Sequence, residues 1–115
     1  INNGVLDWVF KGYASVPLNV PCVLTFRETY RLRLLKVRLV RNEDNTGYYR
    51  YKVETSSDGE RYELLEDRTS GEWRDWQTIE FSPRPVRSIR ITGTFDYPYN
   101  SGIRILEFEA YCIPP

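Results

Sequence analysis

Histidine and methionine are both absent from the 115 residues. Histidine is the side chain that most often serves as a general base, a pH switch or a metal ligand. Its absence excludes Ser-His and Cys-His nucleophilic centres and zinc sites built on imidazole. Catalysis would have to use carboxylate, lysine, tyrosine or hydroxyl groups.

A net charge and a long apolar run are also missing. Sixteen basic and sixteen acidic residues give a formal net charge of +0, so no overall field favours nucleic acid or an anionic membrane. No apolar run approaches the ~20 residues of a transmembrane helix, and no N-terminal segment has the basic-then-apolar order of a signal peptide. The length predicts one domain over residues 1–115, either mature or part of a larger protein.

What the chain does contain is a recurring alternation of apolar and polar residues, with no long stretch at helical spacing. The alternation predicts an all-β, antiparallel sandwich or barrel. A change of phase near Ile105 and Leu106 suggests a β-bulge, and Asp58-Gly59 is a strong turn signal. The predicted strands cover 20–27, 34–40, 48–55, 62–65, 76–81, 86–94 and 103–112.

Two cysteines stand at the outer ends of this strand set. Cys22 opens the first strand and Cys112 closes the last, so antiparallel pairing of those strands would bring the sulfurs together. Two buried thiols are an equal alternative, because reduced cysteine packs like a small apolar residue. A disulfide would indicate an extracellular setting, and reduced thiols a cytoplasmic one.

The order of several short motifs resembles the discoidin family, the coagulation factor V/VIII type C domains. "YKVETSSDGERYELLED" is similar to the family's strand, Asp-Gly turn and strand, and "PRPVRSIRITGT" and "LEFEAYC" resemble its last two strands. Upstream, "CVLTFRETYRLRLLKVRLV" is similar to an earlier strand pair. "INNGVLDWVFKGY" and "DRTSGEWRDWQTIEF" further resemble the discoidin-like domains of BTB/POZ proteins.

The resemblance implies a jelly-roll-like β-sandwich of the galactose-binding-like type. Such domains are mostly non-catalytic binding modules that hold glycans, phospholipid head groups or proteins with loops at one end. Matching strand order places three such loops at 8–16, 41–48 and 95–102. The opening departs from secreted members, because Asn2-Asn3-Gly4 offers no carboxylate before Asp7, so a structural calcium ion is not supported and no cofactor is expected.

The three loops combine aromatic rings with polar side chains. Flat rings can stack on the C–H face of a sugar, and polar side chains can bind its hydroxyls. Part of the rings should instead plug the sandwich, with Trp8, Phe10 and Phe95 expected to be buried. The candidate ligand-binding residues are Trp8, Tyr13, Arg41, Asn42, Asp44, Asn45, Tyr48, Asp96, Tyr97, Tyr99 and Asn100.

Carbohydrate binding, of a galactose-type glycan or glycoprotein, is the leading hypothesis for these loops. A protein-interaction domain of a larger intracellular scaffold is the alternative, because Tyr, Trp and Arg also anchor protein interfaces. Phospholipid binding ranks third, since the loops carry many acids. Paired carboxylates such as Glu43 and Asp44 could form a glycosidase dyad, but adjacent acids on a polar loop are ordinarily solvated, so we expect no enzyme.

Two other tryptophans fall outside the three loops. Trp76 begins a predicted strand and is expected in the core, whereas Trp73 follows a polar turn and is expected to pack on the surface. Both are predicted to lie away from the loop end.

Overall fold

Backbone hydrogen bonding converts the alternating segments into long antiparallel strands. The computed structural model describes residues 6–41 and 46–112, and over 6–13 it describes the backbone alone. The strands within those ranges are β1 (Leu6–Pro17), β2 (Cys22–Leu39), β3 (Tyr48–Ser56), β4 (Glu63–Trp73), β5 (Trp76–Tyr97) and β6 (Gly102–Cys112). They are hydrogen-bonded in the order β1-β6-β2-β5-β3-β4.

The two longest strands, β2 and β5, each contribute to both layers of a β-sandwich. The second half of β2 (32–38) pairs with the first half of β5 (76–84) and with β6, which in turn pairs with β1. The first half of β2 (22–25) pairs with the second half of β5 (88–91), which lies beside β3 and β4. A register shift between Thr25 and Tyr30 marks the bend. One layer is therefore β1-β6-β2-β5 and the other β2-β5-β3-β4.

The core fills the space between the layers, because every second side chain of a strand points inward. Fully buried side chains from one layer include Leu35, Val37, Leu39, Ile105 and Phe108, and those from the other include Tyr51, Val53, Ile89 and Ile91.

A polar contact also crosses this core. The Tyr51 hydroxyl donates to Gln77 Oε1 at 2.8 Å, and Arg68 Nη1 donates to the same oxygen at 2.9 Å. Burial raises the pKa of Tyr51 to about 12, so the hydroxyl keeps its proton and the hydrogen bond. The bond ties β3 of one layer to β5 of the other.

The all-β, antiparallel prediction is confirmed, and several boundaries differ from expectation. The segment 8–16, expected as a loop, belongs to β1 and pairs with β6. The polar stretch after Leu65 continues β4 as far as Trp73. Two pairs of predicted strands merge into β2 and β5, since backbone hydrogen bonding continues through their bends.

The expected irregularity in the last strand is present. Arg38 pairs with Glu107 while the next residue, Leu39, pairs with Ile105, which leaves Leu106 as the extra residue of β6. This bulge keeps both Ile105 and Phe108 buried, although strict alternation would send one of them outward.

Candidate functional site

The loop between β5 and β6 is held in place by a buried aspartate. Asp96 is 1% exposed, and its Oδ1 accepts from Arg104 Nη2 at 3.0 Å. Its Oδ2 accepts from the Ser101 hydroxyl at 3.2 Å, while its backbone carbonyl accepts from the Asn100 amide. Asn100 adopts φ 49°, a left-handed conformation that asparagine tolerates. Hydrogen bonds to Asp96 therefore hold residues 96–101 in a closed turn.

Arg104 connects this loop to the body of the sandwich. Its Nε donates to the Tyr49 hydroxyl at 3.2 Å, and that hydroxyl donates to the Val40 carbonyl at 2.8 Å. Tyr49 is 3% exposed, so this chain of hydrogen bonds runs through the interior of the protein. We expected Asp96 to contact a ligand, and its burial instead makes it a residue that positions the loop.

Two glycines allow the loop to leave and re-enter the sheets. A Cβ on Gly93 would lie 2.8 Å from the Ile103 Cβ, and a Cβ on Gly102 would collide with the Val16 carbonyl oxygen. Neither glycine has a positive φ, so close packing rather than backbone conformation demands them here.

Tyr97 and Tyr99 are exposed at the tip of this loop. Their exposed fractions are 47% and 58%, among the highest for large side chains in the described part of the chain. Half-buried Tyr48, at the start of β3, stacks on Tyr97 with 5.4 Å between ring centroids and 19° between planes. Phe95, expected in the core, is half-buried and lies 5.9 Å from the Tyr48 ring. The sandwich end thus carries an aromatic surface.

Arginines that the sequence did not single out surround these rings. The Arg50 guanidinium lies 5.1 Å from the Phe95 ring centroid, and that of Arg74 lies 5.4 Å from Tyr48. Arg104 lies 5.0 Å from the Tyr99 ring. Cation–π attraction favours these placements. Only strand pairing could have found them, because Arg50 faces Phe95 across β3 and β5 while far away in sequence.

The other predicted site residues are placed less completely. Arg41 and Asn100 are exposed at this end. Trp8 and Tyr13 belong to β1, but their side chains lie outside the described residues, as does that of Phe10. Three further candidates, Asn42, Asp44 and Asn45, also lie outside the described residues, together with Glu43.

The two remaining tryptophans are arranged differently from expectation. Trp76 is 39% exposed rather than buried, because strand pairing with Arg38 turns it to the outer face of the sandwich. Trp73 is half-buried, and its indole Nε1 donates to the Ser70 carbonyl at 2.7 Å. Trp73 pairs with Tyr49, the neighbour of Tyr48, so the β4–β5 turn lies at the loop end and not away from it.

The two cysteines are both thiols. Cys22 lies opposite Ile91 and Cys112 opposite Leu32, so strand pairing places them about ten residues apart along β2. The sulfurs are not joined, because β6 meets the second half of β2 and not its start. Partial burial raises the pKa of the Cys22 thiol and so disfavours the reactive thiolate.

Among the side chains that the structure describes, no three histidines, cysteines, aspartates or glutamates group closely enough to hold a metal ion. Within the same ranges, no helix has the length and apolar character needed to cross a bilayer.

Comparison with solved structures defines the class of fold. The chitosan-binding module 1 of a Paenibacillus sp. IK-5 chitosanase/glucanase superposes with a TM-score of 0.69 at 18% identity, over 86% of this chain and 75% of that chain. The CBM32 of AlyQ, in complex with 4,5-unsaturated mannuronic acid, gives 0.69 at 16% identity over 85% and 75%. The chain therefore has the galactose-binding-like β-sandwich fold of these carbohydrate-binding modules.

Sequence comparison finds a different set of relatives. BTB/POZ domain-containing protein 9 of Drosophila melanogaster is 33% identical over 89 residues, which is 76% of this chain and 12% of the relative. The Homo sapiens protein of that name is 29% identical over 89 residues, 76% of this chain and 14% of the relative. The chain thus spans about an eighth of the length of the curated relatives it matches. No family model matches the chain.

Proposed function

We propose that this chain is a non-catalytic, discoidin-type module that binds a galactose-type glycan at the loop end of the sandwich. The observation that carries the proposal is the pair of exposed tyrosines, Tyr97 and Tyr99, on a loop fixed by the buried Asp96–Arg104 ion pair.

The chemistry of this surface suits a sugar. The Tyr48–Tyr97 stack and the exposed Tyr99 offer flat apolar area for sugar C–H groups. Asn100 and Arg41 are exposed nearby and supply donors and acceptors for hydroxyls. Because hydrogen bonds from Ser101 and Arg104 to Asp96 already order the loop, ligand binding would lose little conformational entropy.

The described carboxylates at this end argue against a catalytic role. Asp96 is ion-paired with Arg104, and Glu72 is ion-paired with Arg74 at 2.9 Å. A glycosidase dyad needs one carboxyl kept protonated and a second kept available. Both of these acids are instead held by arginines.

The solved neighbours support the glycan hypothesis by what they bind. One is a chitosan-binding module, one holds 4,5-unsaturated mannuronic acid, and another, from Clostridium perfringens, holds GlcNAc-α-1,4-galactose. Because proteins of this fold bind sugars of different charge, the side chains of the loops, and not the fold, would determine which sugar each one binds. The neutral, galactose-containing ligand fits a surface whose described arginines are largely engaged with aromatic rings and carboxylates.

A glycan array tests this proposal directly. The wild-type domain should bind galactose-containing glycans, and Tyr97→Ala and Tyr99→Ala should each lower the affinity about tenfold, the value of one lost aromatic contact. Leu64→Ala is the matched control, because Leu64 is 55% exposed on the β4 edge and should leave binding unchanged. Thermal midpoints of all variants should agree. Glycan binding that survives both tyrosine substitutions would contradict the proposal.

A protein-interaction domain of a larger scaffold is the second candidate. It is favoured by the similarity to BTB/POZ domain-containing protein 9, in which the matching segment is only 12–14% of the chain. Exposed tyrosines among arginines also suit a protein interface. The absence of any glycan signal, together with a protein cross-link that is lost in Tyr97→Ala but kept in Leu64→Ala, would favour this function.

A further inference from the structure

A second concave surface lies on the outer face of the β1-β6-β2-β5 layer. It is a groove of about 240 Å³ lined by Lys36, Trp76, Thr78 and Glu109. Strand pairing puts Lys36 between Thr78 on β5 and Glu109 on β6, so the three side chains point to the same side. Trp76 stands two pairs further along, opposite Arg38, and so faces the same side of the sheet. None of these residues belongs to the loop site.

The indole of Trp76 is held at the rim of this groove. The Arg38 guanidinium lies over the ring at 5.7 Å from its centroid. Arg38 is fixed in turn by Asp75 at 3.1 Å and by Glu107 at 3.7 Å. Trp76 nevertheless stays 39% exposed. A tryptophan held in place yet accessible is a suitable stacking surface.

The two charged side chains of the groove, Lys36 and Glu109, are each held by Tyr111 and not by each other. Glu109 Oε1 accepts from the Tyr111 hydroxyl at 2.8 Å, and the Lys36 ammonium lies 5.7 Å from the Tyr111 ring centroid. Lys36 and Glu109 are cross-strand partners, yet among the side chains described they form no ion pair. The ammonium and the carboxylate thus both remain able to bind hydroxyl groups.

The β4–β5 turn links the loop end of the sandwich to Trp76 at the groove. Arg74 lies over Tyr48, and Trp76 follows it by two residues. The Asp75 carbonyl accepts from the Leu39 amide at 2.9 Å, which fixes the turn to the end of β2. A rigid segment therefore joins the aromatic surface of the loops to Trp76.

We propose that this groove is a second sugar-binding subsite that takes one pyranose unit of a polysaccharide. The proposal rests on the glycan-binding function proposed for the loops. The volume is below the roughly 300–1,000 Å³ of pockets for larger ligands, so one ring is the size that fits. Trp76 stacks on the ring, Lys36 donates to its hydroxyls, and Glu109 accepts from them. Two subsites on one polymer raise affinity by making the second contact intramolecular.

Affinity electrophoresis through gels of galactan, chitosan or alginate tests the groove, with the matching disaccharides as short ligands. At least one polymer should retard the wild-type domain, and Trp76→Ala should weaken that binding about tenfold while Trp76→Phe retains most of it. Affinity for the matching disaccharide should be unchanged in Trp76→Ala, because a short ligand occupies the loop site alone. Leu64→Ala is again the control.

The outcomes separate the two proposals. Equal polymer affinity of wild type and Trp76→Ala overturns the groove and leaves the loop site standing. Polymer binding that is lost in Trp76→Ala but unaffected by Tyr97→Ala and Tyr99→Ala supports the groove and refutes the loop site. No retardation by any of the three polymers overturns the groove. Trp76→Ala could lower the thermal midpoint and so weaken binding through loss of stability. In that case polymer binding retained by Trp76→Phe would still support stacking on residue 76, since phenylalanine restores an aromatic ring.

Discussion

Two loops of this protein are each organised by one aspartate, and they differ in where its partners come from. Asp58 lies in the turn between β3 and β4, and its Oδ1 accepts from the amides of Glu60 and Arg61 at 2.8 and 2.9 Å. Asp96 lies at the end of β5, next to the β5–β6 loop, and binds Arg104, which reaches Tyr49 on a different strand.

The difference teaches how one residue type can serve two purposes. The partners of Asp58 are two or three residues away, so the bonds close a tight turn and hold nothing else. Asp96 instead accepts from Arg104 of β6, and Arg104 in turn donates to Tyr49 of β3, so the bonds fix the loop against both layers. A loop that must present exposed rings needs the second kind of anchor, because rings in water do not hold themselves in place.

Removing the long-range partner should have the largest effect. Arg104→Ala leaves the Asp96 carboxylate buried without its cation, and we expect a loss of about 3 kcal/mol in the free energy of unfolding measured with urea. Arg90→Ala is the matched control, because its partner Glu54 is 15% exposed and stays in contact with water, whereas Asp96 is 1% exposed. It should cost no more than about 1 kcal/mol. Equal losses of unfolding free energy in the two variants would show that the burial of Asp96 does not strengthen the effect of losing its ion pair.

Glycine substitutions should affect the two loops differently, because the space around the glycine differs between them. Gly102→Ala pushes a methyl group into the Val16 carbonyl, and we expect a loss of about 2–3 kcal/mol in the free energy of unfolding. In Gly59→Ala, next to Asp58, the added methyl group meets nothing within 4 Å. The free energy of unfolding should fall by only about 1 kcal/mol, because alanine disfavours the φ of +82°. If Gly59→Ala were the more damaging in urea unfolding, the close packing assigned to the β5–β6 loop would be wrong.

Protonation should have the smallest effect, and it concerns the exposed aspartate. Backbone hydrogen bonds from Arg61 and Glu60 lower the pKa of Asp58 from 3.8 to about 2. The folded state therefore favours the charged form, so this stabilisation is complete above about pH 4 and is lost as the pH falls toward 2. The difference in unfolding free energy between wild type and Asp58→Asn should shrink over that range. A difference that grows on acidification would contradict the assignment.

Much of the fold could be predicted, because its signals are local. The alternation of Leu35, Val37 and Leu39 gave the buried face of β2, and the phase change at Ile105 and Leu106 marked the bulge. The Asp58-Gly59 turn needed only neighbouring residues. β1 was missed because its closely spaced rings resembled a binding loop, while its pairing with β6 depends on residues about a hundred positions away.

The arrangement of the candidate site was predicted only in part. Tyr97 and Tyr99 are exposed at the loop end, in the region that strand order indicated. The burial of Asp96 and the exposure of Trp76 were not predicted, because both depend on which strand lies opposite. The arginines around the rings were missed for the same reason.

The sequence by itself determined that this protein is all-β, where most strands run and how the Asp58 turn closes, since these follow from alternation and from hydrogen bonds over two or three residues. Only the tertiary structure decided that Cys22 and Cys112 lie apart, that Arg104 neutralises Asp96, and that Trp76 faces outward above a groove. Those outcomes depend on register between distant strands. Register is set by the summed packing of the whole core, which no short segment encodes.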